Sequence, residues 1–369
     1  MTDKGEKTMN YGLMKLPRNR VRRNYLGGAG IDRLHGESVC RDNDQPEEWV
    51  GSMVEAVNPG MEPVDKEGLA KVETEDGEFF LRDLVDRSRK YYLGDSIHKD
   101  GTWQLSFLLK ILDSAMRLHV QVHPTTQFAN EVMGKPYGKL ECYYILKVRE
   151  GIDPYIRLGF QHAPTREDWK AIVEAQNMEK MDACFEKIPV KPGEVWYIPG
   201  GMPHAIGEGI TMLEIMEPSD LVVRCEFSRE GIVVPEEARF MGRGLDFCLD
   251  IFDYTEYSKE EIVDRCRIKP EILAKTDSYE RQRLVGETLT SCFFVDKVEA
   301  WKPSAITHNE KFTLGVVCSG SCILEQEGQQ IRLKQGDSFA IAAAVKQWNI
   351  LPEEETELVI VYPGKNMEE

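Results

Sequence analysis

A chain of 369 residues is longer than one ordinary hydrophobic core organises, so two or more domains are expected. Hydrophobic residues make up 41% and charged residues 30%, a balance that excludes wholesale disorder. Against 46 basic residues stand 63 acidic ones, a formal charge of -17, which disfavours general binding to nucleic-acid phosphates. No apolar run reaches the roughly eighteen residues of a membrane-spanning helix, and the opening residues carry no apolar stretch with a small-residue cleavage site. Neither membrane nor nucleic acid is therefore an expected partner. Nine cysteines form no CxxC pair, so a zinc ribbon or dithiol motif is not available. Reduced, mostly buried thiols in a cytoplasmic protein are the expectation.

In chain order, residues 11–60 read as loops with short strands, and the basic cluster Arg18, Arg20, Arg22, Arg23 reads as a solvated arm. Helical spacing begins after Phe79. The run Phe107–Leu112 suits a buried strand. In Leu118–His123, alternation places Leu118, Val120 and Val122 on one face and His119, Gln121 and His123 on the other, and Pro124 ends the strand. A helix is expected from Thr165 to about Glu186, opened by a Thr165/Asp168 cap, and another from Ser258, with Glu261 completing a capping box. Strands are expected at Val195–Ile198 and Ile210–Ile215. Residues 270–288 are polar and read as linker, and the chain from Ser291 onward as strands.

One internal resemblance organises the whole. Val190–Pro199 lines up with Leu333–Ala342, each a Lys-x-Gly-acid turn leading into an apolar strand. Two copies of one unit suggest a mainly β chain of two cupin-like double-stranded β-helix modules with inserted α-helices. The expected partition is a catalytic module over 1–235, a helical or irregular connector over 236–288, and a second module over 289–369. His204 follows Gly193 by the interval at which Gln347 follows Gly336, and the stretch CILEQEG, taken as the second copy's counterpart of the His-x-Gln-x-His strand, has no histidine. Only the first module is then expected to hold a metal.

Gln121 and His123, two apart on a barrel strand, can point into one lumen. His204 ends a Gly- and Pro-rich loop, and Glu141 opens the strand CYYIL. Two imidazoles, a carboxylate and an amide oxygen suit Zn²⁺ or another borderline divalent ion, with water or substrate in the remaining position.

The ordered segments LHVQVHP, GKLECYYI, VKPGEVWYIPGGMPHAIGEG and LEIMEPSDLVVR strongly resemble the type I phosphomannose isomerases in their shorter bacterial form. The resemblance implies one metal per chain held by Gln121, His123, Glu141 and His204, and a small sugar phosphate as partner. It implies interconversion of mannose 6-phosphate and fructose 6-phosphate through a cis-enediol. It places active-site cations at Lys110 and Arg224, and matches the family's Glu-x-Trp segment to Glu48. Glu214 and Glu48 are available carboxylates for proton transfer. Two departures stand out: His119 where the family shows a small hydroxyl residue, and Glu217-Pro218-Ser219-Asp220 for Gln-Asn-Ser-Asp. An isomerase of another or an unphosphorylated sugar, an Fe²⁺ cupin oxygenase built on His123, His204 and Glu141, and a sugar-binding module are the alternatives.

Overall fold

The computed structural model describes residues 10–74, 77–96 and 103–364. Two large antiparallel sheets dominate it, each of seven strands. The first runs Arg267–Ile268, Val195–Ile198, Glu141–Val148, Ile210–Met216, Leu108–Asp113, Glu47–Val50, Arg20–Val21. The second runs Leu13–Leu16, Ser338–Ile341, Thr313–Ser319, Thr356–Pro363, Phe293–Ala300, Tyr279–Val285, Glu271–Lys275. Each has a smaller companion, one led by Tyr155–Leu158 and His204–Ile206, the other by Ser321–Gln326 and Gln347–Pro352. The two-module, mainly β expectation matches this architecture.

The repeated sequence builds the same turn twice. Gly193 and Gly336 sit at φ 85° and 90°, which a side chain would strain. The Glu194 carboxylate accepts from Lys191 N, and the Asp337 carboxylate from Lys334 N, both at 3.0 Å. The glycine amides donate to Ile145 O at 2.8 Å and Val317 O at 2.9 Å.

Strand parity divides the work. On the strand Leu108–Asp113, Leu109 and Ile111 join the core shared with Phe293, Val316 and Val359 of the second sheet, whereas Leu112 packs inside the first module against Tyr143, Ile156 and Ile206. The modules are thus packed back to back. Thr165 and Ser258 cap their helices as expected, the latter in a full capping box. The helix from Thr165 divides in two, Arg166–Glu174 and Met178–Ala183, because Gln176 takes a positive φ of 48° and Asn177 caps the second piece.

Two expectations fail. Residues 270–288, read as linker, form the strands Glu271–Lys275 and Tyr279–Val285; they lie at a sheet edge with much of their surface in water, so their polarity is no bar to pairing. The arginine cluster is no solvated arm: Arg18, Arg20, Arg22 and Arg23 pair with Glu37, Asp32, Glu67 and Glu47. All nine cysteines are free, and all but Cys40 are buried.

Candidate metal centre

Ladder register brings the ligand candidates together. His204 lies opposite Gln121, Arg224 opposite Gln121 on the other side, and Ile198 opposite Glu141. The segment Leu118–His123 is a regular strand only at Gln121–Val122, yet it keeps the expected alternation: Leu118, Val120 and Val122 are buried in apolar clusters, while His119 and Gln121 line the cavity and His123 reaches Glu141. Leu221 O and Met202 O accept from the Nδ1 atoms of His123 and His204, at 2.8 and 3.0 Å, which aims both Nε2 atoms at one point. There the Glu141 carboxylate lies 3.1 Å from His123 and 3.5 Å from His204. The Gln121 amide is 3.3 Å from His204 Nε2.

Ligand atoms of His123, Glu141 and His204 all lie within 4.8 Å of one another, the one such group among the described residues. The buried His123 Nε2 has no hydrogen-bond partner. Burial, and then Lys139, lower the His123 pKa to about 3, so the imidazole is neutral and its lone pair free. Burial opposes the charge on Glu141, but Lys139 overcomes it and holds the carboxyl well below its ordinary range. A buried, converging set of two imidazoles and a carboxylate fits a borderline divalent cation.

The group opens into a cavity of about 340 Å³. Lys110 stands in its wall, 3.1 Å from Glu214 and 3.7 Å from Glu47. Burial opposes its charge, but Glu214 and Glu47 outweigh that and raise its pKa. Glu214 is raised by burial and by Glu141, despite Lys110. Arg224 is lowered to about 10 by burial and by Arg23; its Nη1 donates to Ala238 O at 2.7 Å, and it makes no ion pair among the described residues. Beside it His119 is buried, its Nε2 unpartnered and its pKa lowered to about 4 by burial and Arg224.

Glu48 is not in this cavity. On its strand Glu47 lies opposite Leu112 and faces inward, while Glu48 lies opposite Ile111 and faces the other module, where its Oε2 is 3.0 Å from His35 Nε2. The carboxylate at the cavity is Glu47, which accepts from Tyr25 Oη, Trp49 Nε1 and Arg23 Nε at 2.7–2.8 Å. Burial is outweighed there by Arg23 and Lys110, so Glu47 stays ionised. Sequence reading also missed Lys139, whose Nζ is 2.9 Å from Glu141, although it lies within the segment GKLEC.

Fold and site together define a bicupin with one metal-competent lumen. Family models agree at two places: residues 64–140 match the catalytic domain of phosphomannose isomerase type I, and residues 288–363 the cupin domain of mannose-6-phosphate isomerase. The chain is 28% identical over 256 residues, 69% of its length and 74% of the other's, to "Probable mannose-6-phosphate isomerase GmuF" of Bacillus subtilis. It is 40% identical to the mannose-6-phosphate isomerase of Streptococcus mutans over 124 residues, 33% of this chain and 37% of that one. The crystal structure of the Bacillus subtilis mannose 6-phosphate isomerase superposes with a TM-score of 0.69 at 20% identity, covering 95% of this chain and all of that one. Two stretches of the chain thus match models of the type I phosphomannose isomerase family, and in sequence and fold the chain is similar to mannose-6-phosphate isomerases.

Proposed function

We propose that the protein interconverts mannose 6-phosphate and fructose 6-phosphate, with one Zn²⁺ held by Gln121, His123, Glu141 and His204. The observation that carries this reading is a buried, converging ligand group opening into a cavity that also holds Lys110, Lys139 and Arg224. When bound, the cation would act as a Lewis acid on sugar oxygens.

The chain's own residues divide the remaining tasks. Isomerisation takes a proton from carbon 2, passes through a cis-enediol, and returns a proton to carbon 1. Glu214, held above its ordinary range and in contact with Lys110, is the carboxyl suited to carry that proton. Glu47, fixed by three donors, is not; it holds Lys110 and Arg23 in place. Arg224, without a carboxylate of its own, offers its donor fork to the phosphate, and the unpartnered Nε2 of His119 faces the same cavity. His119 in place of a small hydroxyl residue narrows this end, which favours a second reading, isomerisation of a different sugar.

Stripping the protein with a chelator, restoring Zn²⁺, Co²⁺ or Mn²⁺, and assaying mannose 6-phosphate beside free mannose and other aldose phosphates tests both. Metal-dependent turnover with strong preference for mannose 6-phosphate is expected. Equal turnover of free mannose would assign the second reading, and turnover unaffected by metal would remove the site from the reaction.

A further inference from the structure

Glu217 is a buried carboxylate that the chemistry above does not use, and among the described residues it makes no ion pair. Instead it gathers hydrogen bonds from three separate segments. Its Oε2 accepts from Thr126 Oγ1 at 3.1 Å and from Leu140 N at 3.2 Å. Its own amide donates to Leu140 O at 3.0 Å. Both backbone polar groups of Leu140 are therefore held by one residue, and Leu140 is the link between Lys139 and the ligand Glu141. Thr126 Oγ1 in turn accepts from Gly138 N at 3.1 Å, so the segment 138–140 is fixed at two points.

The other oxygen faces the second module. Oε1 accepts from Thr290 Oγ1 at 3.0 Å and from Cys292 Sγ at 3.6 Å, just ahead of the strand Phe293–Ala300. Thr290 Oγ1 also accepts from Cys292 N at 3.0 Å, and Cys292 O accepts from Ser106 Oγ at 2.5 Å, only a few residues before Lys110. Every group around the carboxyl is a donor, and its two oxygens accept from all of them.

We infer that Glu217 is a positioning residue that makes the geometry of the metal ligand Glu141, and of Lys139 beside it, depend on the docked second module. The inference rests on the metal reading given above and assigns the second module a task at the site: it holds one oxygen of Glu217 so that the other can hold the ligand loop. Glu217→Gln preserves volume but turns one acceptor into a donor facing two donors. Thr290→Val keeps the shape of the residue and removes only the hydroxyl contributed by the second module.

The test is Co²⁺ binding to the full-length apoprotein, followed by its visible absorption bands and by competition with a chromophoric chelator, alongside melting curves of the same samples. Glu217→Gln is expected to weaken Co²⁺ binding about tenfold, the low end of what loss of a supporting hydrogen bond costs a metal site. It should also shift the bands, and Thr290→Val should move both in the same direction by a smaller factor. Wild-type affinity and bands in both variants, with only the melting temperature lowered, would reduce Glu217 to a brace of the fold and overturn the inference. Where Glu217→Gln does not fold, Thr290→Val decides by the same two readings. A wild-type protein that binds Co²⁺ through His204, with both variants indistinguishable from it, sinks this inference alone. A wild-type protein that binds no Co²⁺ sinks the metal reading and this inference together.

Discussion

The two modules share strand order and turn geometry but have opposite interiors, and the register shows where they part. Lys110 of the first sheet and Asp296 of the second occupy equivalent places, since Glu214 pairs with Lys110 as Ile360 pairs with Asp296. In the first module a central cation is flanked by carboxylates, Glu47 and Glu214. In the second a central carboxylate is flanked by Arg281 and Arg283, and it also accepts from Tyr362 Oη at 3.0 Å. Both arrangements neutralise buried charge, and the first borders the cavity beside the candidate ligands. The equivalents of Gln121, Glu141 and His204 are Thr307, Thr313 and Gln347. Gln347 is exposed, and Thr313 Oγ1 lies 3.0 Å from His308 Nε2. One scaffold thus frames a candidate ligand group in one copy and an Asp296 ion-pair network in the other.

That contrast can be broken at matched positions. His204→Ala should lower turnover by about 10²–10³, the several kcal/mol a metal contributes to a transition state, whereas Gln347→Ala should leave it unchanged; steady-state rates at saturating metal check the pair. Lys110→Met removes the partner of two buried carboxylates and should cost about 3–5 kcal/mol in urea denaturation. Asp296→Asn should cost less, because the Arg281 and Arg283 side chains, 16% and 22% exposed, keep water as an alternative partner. Gly315 stands where the first module has Tyr143, and a Cβ there would lie 2.2 Å from the Phe339 ring. Gly315→Ala should therefore destabilise the protein by about 1–3 kcal/mol and leave the Co²⁺ bands unchanged.

The smallest effect concerns pH. Burial lowers the pKa of His308, which faces Arg281 and Glu310, so the folded state keeps this imidazole neutral. As pH falls through about 6.5 the unfolded chain takes up a proton that the folded chain refuses, and stability falls with it. His308→Gln should flatten that slope by at most about 1.4 kcal/mol between pH 7.5 and 5.5, read from denaturation midpoints.

Much of the site was legible because its signals are local. Alternation marked Gln121 and His123, and the glycines and prolines before His204 marked a fixed loop end. Glu47 was not legible, because in Glu-Glu-Trp-Val nothing local says which carboxylate faces inward; the packing of the second module against Val50 decides it. The arginine cluster misled for a similar reason, its carboxylate partners lying 12 to 45 residues away. Matching CILEQEG to the histidine strand was also wrong. The true counterpart of Gln121–Val122 is Ser304–Thr307, followed by a histidine that its hydrogen bonds to Val345 O and Thr313 Oγ1 already engage.

The strand Leu13–Leu16 has a consequence for how the chain comes together. It pairs with Ser338–Ile341, and Leu13 N donates to Gln329 Oε1 across 316 positions. During synthesis this strand therefore leaves the ribosome long before the strand it pairs with, and until then its buried Leu13, Met14 and Leu16 need shelter from other nascent chains.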